Sequence, residues 1–342
     1  MSMSTIRMRD IMALVVVAAI LIAMIPLALP GVVFGATSDN LTGKFTLGNS
    51  DPIVSNVAIY AADHGGSPVT NMTPLVEYAV KVTVADTNSL QDLKTITVQI
   101  FHDADSDNST DDRPVDSPAE GVTLTWTEGA SEPWTISSGG STSWDIVEAA
   151  CIQPPNLGLG SGDFWFNFVP GKIATEATDW DVYVVAMDDE SGTGASYHNG
   201  AYDMNWYGEI NVITANATWT GVTAGMDFTH ENADVPNIQV NYIANGDYKV
   251  AVTTDSSWNS AALNTAGSPT ANQFSLKANN VAGVPTGNLV TTSTGECVID
   301  NLGAQTSESG LPVNTNALYL KLGSPFVNGA YTGQVCYTII DR

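Results

Sequence analysis

The chain has few of the residues from which active sites are usually built. Its 342 residues include 3 cysteines, 4 histidines and 11 lysines or arginines, against 36 acidic residues. The sequence contains no nucleophile elbow, phosphate loop, dinucleotide fingerprint or paired metal-binding cysteines. Two carboxylates would suffice for glycosidase chemistry, but the acidic residues lie mostly in predicted loops and turns. We therefore predict a protein that is not an enzyme.

The shortage of positive charge restricts the partners. A formal net charge of −25 repels nucleic acid and anionic lipid headgroups, whose binding requires cationic side chains. The partners compatible with this negative charge are cations, glycans, other envelope proteins and further copies of the chain. Adaptation to salt is another explanation for the acidity, although only 14% of the residues are charged.

Sustained helical patterns are lacking after the first 36 residues. Apolar residues instead alternate with polar or small ones in many short runs, which is typical of antiparallel strands with one buried face. The clearest runs lie at 76–84, 96–100, 122–126, 164–168 and 182–186. The sequence predicts an all-β protein with two tandem immunoglobulin-like β-sandwiches, and one short helical turn near 144–150.

Residues 1–36 have the pattern of a secretory signal peptide. Two arginines precede an apolar run over residues 11–34, and the small residues Gly35 and Ala36 follow it. The alternative is a retained N-terminal membrane anchor, because the run is long enough to span a bilayer. Two prolines within the run count against a regular spanning helix. We expect an extracellular or cell-surface location, with membrane contact only if the segment is uncleaved.

The remaining chain divides into three predicted parts. Residues 37–49 form an N-terminal strand or linker, residues 50–210 an immunoglobulin-like sandwich, and residues 211–342 a C-terminal sandwich. A strand is expected at 212–219. In the C-terminal part, Asn245-Gly246 separates two strand-like runs and predicts a tight hairpin between them.

Several segments carry a family resemblance. Residues 74–86 (PLVEYAVKVTVAD), 93–101 (LKTITVQIF) and 180–190 (WDVYVVAMDDE), with 317–323 (ALYLKLG) and 329–337 (GAYTGQVCY), resemble immunoglobulin-like secreted surface proteins of archaea and some bacteria. The resemblance implies a component of the cell envelope or of an extracellular filament. It concerns packing patterns and implies no catalytic residues.

An acidic loop after residue 101 is the best candidate metal site. Its carboxylates alternate as in a calcium-binding loop, since calcium takes six to eight oxygen ligands. The pattern departs from an EF-hand, because Asn108 replaces the turn glycine and Pro114 replaces the final glutamate. The alternative is a solvated hairpin loop. The predicted calcium ligands are Asp103, Asp105, Asp107, Asp111 and Asp112.

A second acidic group, Asp188-Asp189-Glu190, precedes Ser191-Gly192. We interpret it as a turn at a strand end, and a ligand group is the alternative.

The three cysteines allow more than one pairing. Cys297 and Cys336 can pair in an oxidising compartment, which leaves Cys151 as a buried thiol or as a bond between subunits.

Four sequons fit an exported glycoprotein, and we expect each of them in a loop or linker. They begin at Asn40, Asn71, Asn108 and Asn216. A glycan on Asn108 would crowd a cation in the acidic loop.

These features favour a structural subunit of a filament, sheath or surface layer. On this hypothesis, calcium bound in the acidic loop stabilises the subunit. Leu41, Phe45 and Leu47 give residues 37–49 strand character, so this segment can add to an open sheet edge of a neighbouring copy. Alternatively it pairs within its own domain or stays disordered. The competing function is a monomeric adhesin or glycan-binding module that uses exposed tryptophans, for which the candidates are Trp134, Trp144, Trp206 and Trp258.

Overall fold

A computed structural model describes residues 42–105, 113, 117–137, 143–280, 287–309 and 314–342. These residues form an all-β structure, which confirms the predicted fold class. Their only helices are two 3₁₀ turns, Leu90–Asp92 and Glu148–Ala150. The second of these lies where the helical turn was predicted.

The chain forms two compact units, Met1–Gly48 and Asn49–Arg342. The described residues of the first unit, 42–48, contain no strand. The predicted signal segment, residues 1–36, lies outside the described residues. Within the part that the structure does describe, no helix has the length and apolar character needed to cross a bilayer.

The N-terminal half of the larger unit has two sheets. Their order is β1-β3-β8-β7 in one and β2-β10-β9-β4-β5-β6 in the other, and every pair is antiparallel except β2 with β10. The strands are β1 (Ile53–Ala61), β2 (Asn71–Met72), β3 (Tyr78–Ala85), β4 (Leu93–His102), β5 (Gly121–Thr127), β6 (Trp134–Ile136), β7 (Asp145–Ile146), β8 (Ser161–Val169), β9 (Ala177–Asp188) and β10 (Thr193–Met204).

The predicted alternation builds the first core. Val80 and Val82 of β3 lie opposite Phe166 and Phe164 of β8, and all four side chains are fully buried. The inward residues of β4, β5 and β9 belong to the same apolar cluster, together with Trp180. Side chains at alternate positions of a strand point to the same face, so each of these strands presents one apolar face to the core.

The C-terminal half also has two sheets, ordered β11-β12-β19-β16-β15-β14, with β17 added to β16, and β18-β13-β20. The strands are β11 (Gly208–Val212), β12 (Asp234–Ala244), β13 (Tyr248–Thr254), β14 (Ser257–Trp258), β15 (Ala261–Leu263), β16 (Gln273–Asn279), β17 (Asn288–Leu289), β18 (Val298–Gly303), β19 (Asn314–Leu322) and β20 (Val335–Asp341). The predicted division at 210 and 211 falls inside β11.

The hairpin predicted at Asn245-Gly246 is wrong. Its two strands lie where expected, but β12 pairs with β11 and β19, whereas β13 pairs with β18 and β20. The dipeptide therefore carries the chain from one sheet to the other. Neither residue has a positive φ, and a Cβ atom at Gly246 would overlap Glu176 of the β8–β9 connection. The absence of a side chain at Gly246 thus allows the β8–β9 connection of the first half to approach the backbone closely at this point.

Polar contacts join the two halves of the unit. Lys172 Nζ lies 2.8 Å from Glu209 Oε2, and Gln305 Nε2 donates a 2.8 Å hydrogen bond to the carbonyl oxygen of Ile173. The buried side chain of Asn245 adds further bonds, described below. The β8–β9 connection is therefore held against the second core.

Candidate functional site

A large groove lies at one side of the second core. It has a volume of about 1050 Å³ and runs between residues 212–224 and residues 326–337. Apolar side chains of several strands form its floor, among them Ile238, Trp258, Phe274, Leu318 and Leu320. The groove therefore offers apolar surface next to a sheet edge.

One wall of the groove exists because the strand predicted at 212–219 ends early. β11 stops at Val212, and beyond it Thr214 Oγ1 accepts a 2.8 Å hydrogen bond from the amide of Gln239 in β12. The amides of Ile213 and Thr214 still donate to the carbonyl oxygen of Gln239. The amide of Gln239, however, is taken by a side-chain oxygen and not by a backbone carbonyl, and the ladder ends. The following residues cross the core irregularly, anchored by Trp219, whose Nε1 donates to the carbonyl oxygen of Ala233 at 2.8 Å.

The other wall contains β20, an edge strand. Among the described residues, β20 pairs with β13 alone, so only one of its two edges carries a ladder. In the described part of the chain, the sheet to which it belongs has three strands and packs through a shared core against a sheet of seven. An unpaired edge presents free backbone N–H and C=O groups to an added strand. The groove runs beside the N-terminal end of this strand.

Aromatic rings line the floor. The ring centroids of Trp219 and Trp258 are 5.8 Å apart, and those of Trp258 and Phe274 are 4.9 Å apart. Trp258 Nε1 donates to Thr254 Oγ1 at 3.0 Å, which fixes the indole. Gly333 lies against this ring, and a Cβ atom there would overlap it. The wall therefore approaches the floor closely at this point.

The rim carries exposed apolar side chains. Val327 is 61% exposed, and Val212 and Val222 are also exposed. Phe326 and Tyr331 form an edge-to-face pair at 5.1 Å, and the Tyr331 hydroxyl donates to the carbonyl oxygen of Val327 at 2.8 Å. A ligand with apolar side chains would cover this surface.

The predicted assembly strand is partly described. Residues 42–50 form no ladder, and Phe45 and Leu47 are 91% and 71% exposed. Leu41 lies outside the described residues. Because Phe45 and Leu47 are two positions apart, they would share one face of an extended strand.

The predicted calcium loop is described only at its start. Asp103 is buried and its amide donates to the carbonyl oxygen of Asp179 at 2.8 Å, whereas Asp105 is exposed. The other predicted ligands, Asp107, Asp111 and Asp112, lie outside the described residues. Calcium binding by this loop remains a prediction.

The predicted disulfide is not formed. Cys151, Cys297 and Cys336 are all free thiols. Cys297 immediately precedes β18 and Cys336 lies in β20, with β13 between these strands. Strands two places apart are separated by about 9.5 Å, whereas a disulfide requires Cα atoms within about 7 Å. In addition, Cys297 is buried and Cys336 is exposed.

Cys151 is partly buried in the first core. Its sulfur accepts a hydrogen bond from the amide of Asn167 at 3.2 Å. Burial raises the pKa of the Cys151 thiol to about 12 and that of the Cys297 thiol to about 11. Both groups are therefore protonated and unreactive at neutral pH.

The sequons fall in different settings. Asn71 lies in the short strand β2 and not in the loop that was expected, although its side chain is exposed. Asn216 is exposed in the irregular wall of the groove. Asn40 and Asn108 lie outside the described residues. The use of these sites as glycan acceptors remains a prediction.

The tryptophans proposed to bind sugars are mostly core residues. Trp134, Trp144 and Trp258 are each less than 10% exposed. Trp144, for example, stacks on Phe168 and donates through Nε1 to the carbonyl oxygen of Pro118 at 2.8 Å. Only Trp206 among the four is half-buried.

Residue spacing gave no direct signal for the groove. Its floor comes from β12, β14, β16 and β19, which are distant in sequence, and the strand predicted at 212–219 would have occupied part of it. The sequence does contain one indirect signal, which is the presence of the aromatic residues Trp219, Trp258 and Phe326 near predicted strand ends.

Comparison of the sequence with protein-family models and with curated proteins gives no match. Among solved structures, the chain is similar to BcpA, the major pilin subunit of Bacillus cereus, with 9% identity and a TM-score of 0.24 over 82% of this chain and 69% of that chain. A variant of that pilin matches with 9% identity and a TM-score of 0.23. The match covers 77% of this chain and 63% of the variant, which is less than two thirds of the variant's length. A protein described as BspA_C_mut matches with 9% identity and a TM-score of 0.24, over 86% and 96% of the two chains. Similarity this distant supports no argument about function.

Proposed function

We propose that the protein is a non-catalytic structural subunit of an extracellular assembly, in which residues 37–49 of one copy add as a strand to the groove of the next. The observation that carries the proposal is the presence of two complementary features on one chain. One is a segment outside the strands with exposed apolar side chains, and the other is an apolar groove beside an open strand edge.

The two features match in chemistry. Strand addition obtains affinity from backbone hydrogen bonds and specificity from side chains that enter pockets at alternate positions. Phe45 and Leu47 would be about 6.7 Å apart along such a strand. The free edge of β20 would supply the backbone partners, and the floor around Trp258 would receive the side chains.

Burial of these side chains would drive association. Phe45 and Leu47 are among the most exposed large apolar residues in the described part of the chain. Covering a large apolar side chain contributes about 1.5–3 kcal/mol. The acidity of the chain does not oppose this contact, because the segment over residues 42–48 contains Lys44 as its only charged residue.

The test is the size of particles formed by the purified mature chain, measured by light scattering and electron microscopy. We expect polymers from the wild type, and monomers from the double variant Phe45→Ser with Leu47→Ser. The matched control is Thr46→Ser, which lies between them and faces away in a strand. Equal polymers from the double variant would refute strand addition.

A second variant tests the acceptor. Val327→Asp places a charge on the exposed rim of the groove and should also give monomers, since the rim contact is apolar. Mixing it with the double variant distinguishes the two roles. The Val327→Asp chain still donates its segment to the intact groove of the double variant, so heterodimers are expected. A monomer from the wild type, together with binding to a glycan array, would favour the adhesin alternative.

A further inference from the structure

Three carboxylates from distant parts of the sequence meet at one end of the first sandwich. Asp86 follows β3, Asp92 ends the first 3₁₀ turn, and Asp188 ends β9. One oxygen of each lies within 4.8 Å of those of the other two. Asp188 belongs to the acidic group that the sequence indicated as a turn, whereas Asp86 and Asp92 carried no motif.

Two of these side chains are almost completely buried. Asp86 is 2% exposed and Asp188 is fully buried. Burying a carboxylate costs free energy unless it is paired or hydrogen-bonded. Among the described residues, no lysine, arginine or histidine forms an ion pair with any of the three.

Hydrogen bonds satisfy only part of the cluster. Asp188 accepts bonds from Asn49 Nδ2 at 2.8 Å and from the amide of Gly192 at 2.6 Å. Asp86 Oδ1 accepts a bond from the amide of Asn88 at 2.7 Å. The other oxygen, Asp86 Oδ2, is buried and has no hydrogen-bond partner among the residues that the structure describes. A buried carboxylate oxygen without a donor points to a ligand that the protein itself does not supply.

We propose that Asp86, Asp92 and Asp188 bind one calcium ion that ties together the ends of β3, the first 3₁₀ turn and β9. Oxygens that ligate one ion at about 2.4 Å lie at most about 4.8 Å apart, as these do. Calcium fits better than magnesium, because magnesium retains several waters and usually takes only one or two carboxylates.

The surroundings supply more oxygen ligands and a route of entry. A cleft of about 400 Å³ reaches Asp86 and is lined in part by Ser50, Asp51 and Thr87. A Cβ atom at Gly192 would overlap the carboxylates of both Asp51 and Asp188, so Asp51 lies at the margin of the cluster.

The electrostatics of the cluster agree with this assignment. The carboxylates of Asp86, Asp188 and Asp189 act electrostatically on Asp92 as like charges. A divalent cation would relieve this repulsion. Since β3 and β9 belong to opposite sheets, the ion would also connect the two sheets of the first sandwich.

The test is a calcium titration of the full mature chain after removal of metals by a chelator. We expect high-affinity calcium binding by calorimetry and a rise in Tm of about 5 °C or more at saturation. Magnesium at the same concentration should give a clearly smaller rise. The absence of any shift in Tm with calcium, or an equal effect of magnesium, would overturn the assignment.

The variant Asp92→Asn gives the sharpest result, because this residue is the least buried of the three. Without calcium the variant should melt above the wild type, since one repelling charge is removed, but its calcium affinity should fall at least tenfold. The matched control is Asp105→Asn with Asp107→Asn in the separate acidic loop, which should leave the calcium response intact. Loss of the response in that control, with an unchanged response in Asp92→Asn, would place the ion in the loop and refute the proposal.

Discussion

The side chain of Asn245 donates a 2.8 Å hydrogen bond to the carbonyl oxygen of Ala174, which belongs to the first core. The same amide donates to the carbonyl oxygen of Asn205 at 2.9 Å, and its oxygen accepts from the amide of Tyr207 at 2.6 Å. Asn245 is fully buried. One residue thus satisfies backbone groups on both sides of the boundary between the cores.

We expect Asn245→Ala to lower the free energy of unfolding by about 2–5 kcal/mol, because it leaves several buried backbone groups without partners. Denaturant unfolding measures the change. The control is Asn232→Ala, whose amide donates a single bond to Gly221 in an exposed setting and should cost less than about 1 kcal/mol. Equal losses in the two variants would contradict the role assigned to Asn245.

The groove wall depends on a glycine. Gly333→Ala would force its new methyl group into the Trp258 ring, so we expect destabilisation of about 1–3 kcal/mol and a change in tryptophan fluorescence. At Gly329 a Cβ atom would have its nearest neighbour, a ring atom of Tyr331, 3.9 Å away. Gly329→Ala is therefore the control, and a similar effect there would show that Gly333 is not specially constrained.

Stability in acid should depend on Glu120. A hydrogen bond from His102, at 3.0 Å, holds the pKa of Glu120 below its ordinary value of 4.5. Because the folded pKa is lowered, the stabilisation is present above the unfolded pKa and is lost as the pH falls through the folded one. Thermal unfolding between about pH 6 and pH 3 measures this slope.

We expect Glu120→Gln to flatten the loss of Tm with falling pH. Glu132→Gln, at an exposed glutamate, is the matched control and should retain the slope of the wild type. A slope unchanged by Glu120→Gln would show that the contact with His102 does not contribute.

The thiols should differ in reactivity. Cys336 is exposed and lines the groove, so a maleimide should label it in the native monomer, whereas Cys151 and Cys297 should react only after unfolding. Mass spectrometry of the labelled peptides measures this difference. Native protein without reactive thiols would restore the disulfide hypothesis. In assembled material, strand addition predicts that Cys336 becomes protected.

The relation between sequence and structure differs from element to element. The alternation of apolar with polar or small residues at 76–84 and 164–168 predicted β3 and β8. Each strand buries one face, and a period of two residues can be recognised from neighbouring residues alone. The prediction at 212–219 was wrong beyond Val212, since the hydroxyl of Thr214 takes the next ladder position. Asn245-Gly246 separates the two strands as expected but does not form the predicted hairpin, and the asparagine side chain bonds across the boundary between the cores.

For the candidate sites, too, local patterns could be recognised in the sequence, whereas contacts between distant residues could not. The exposed apolar segment at Phe45 and Leu47 was readable, because alternation along a short segment is a local property. The groove and the carboxylate cluster were not, because Asp86 and Asp188 are about a hundred positions apart and have no common motif.

The all-β class, the positions of most strands and the strong negative charge follow from the order and composition of the residues, because alternation with a period of two and the excess of acidic side chains are local properties. The pairing of the strands, the open edge and the convergence of the carboxylates were settled on folding. Those outcomes depend on contacts between residues far apart in the chain, and local patterns of side chains do not encode them.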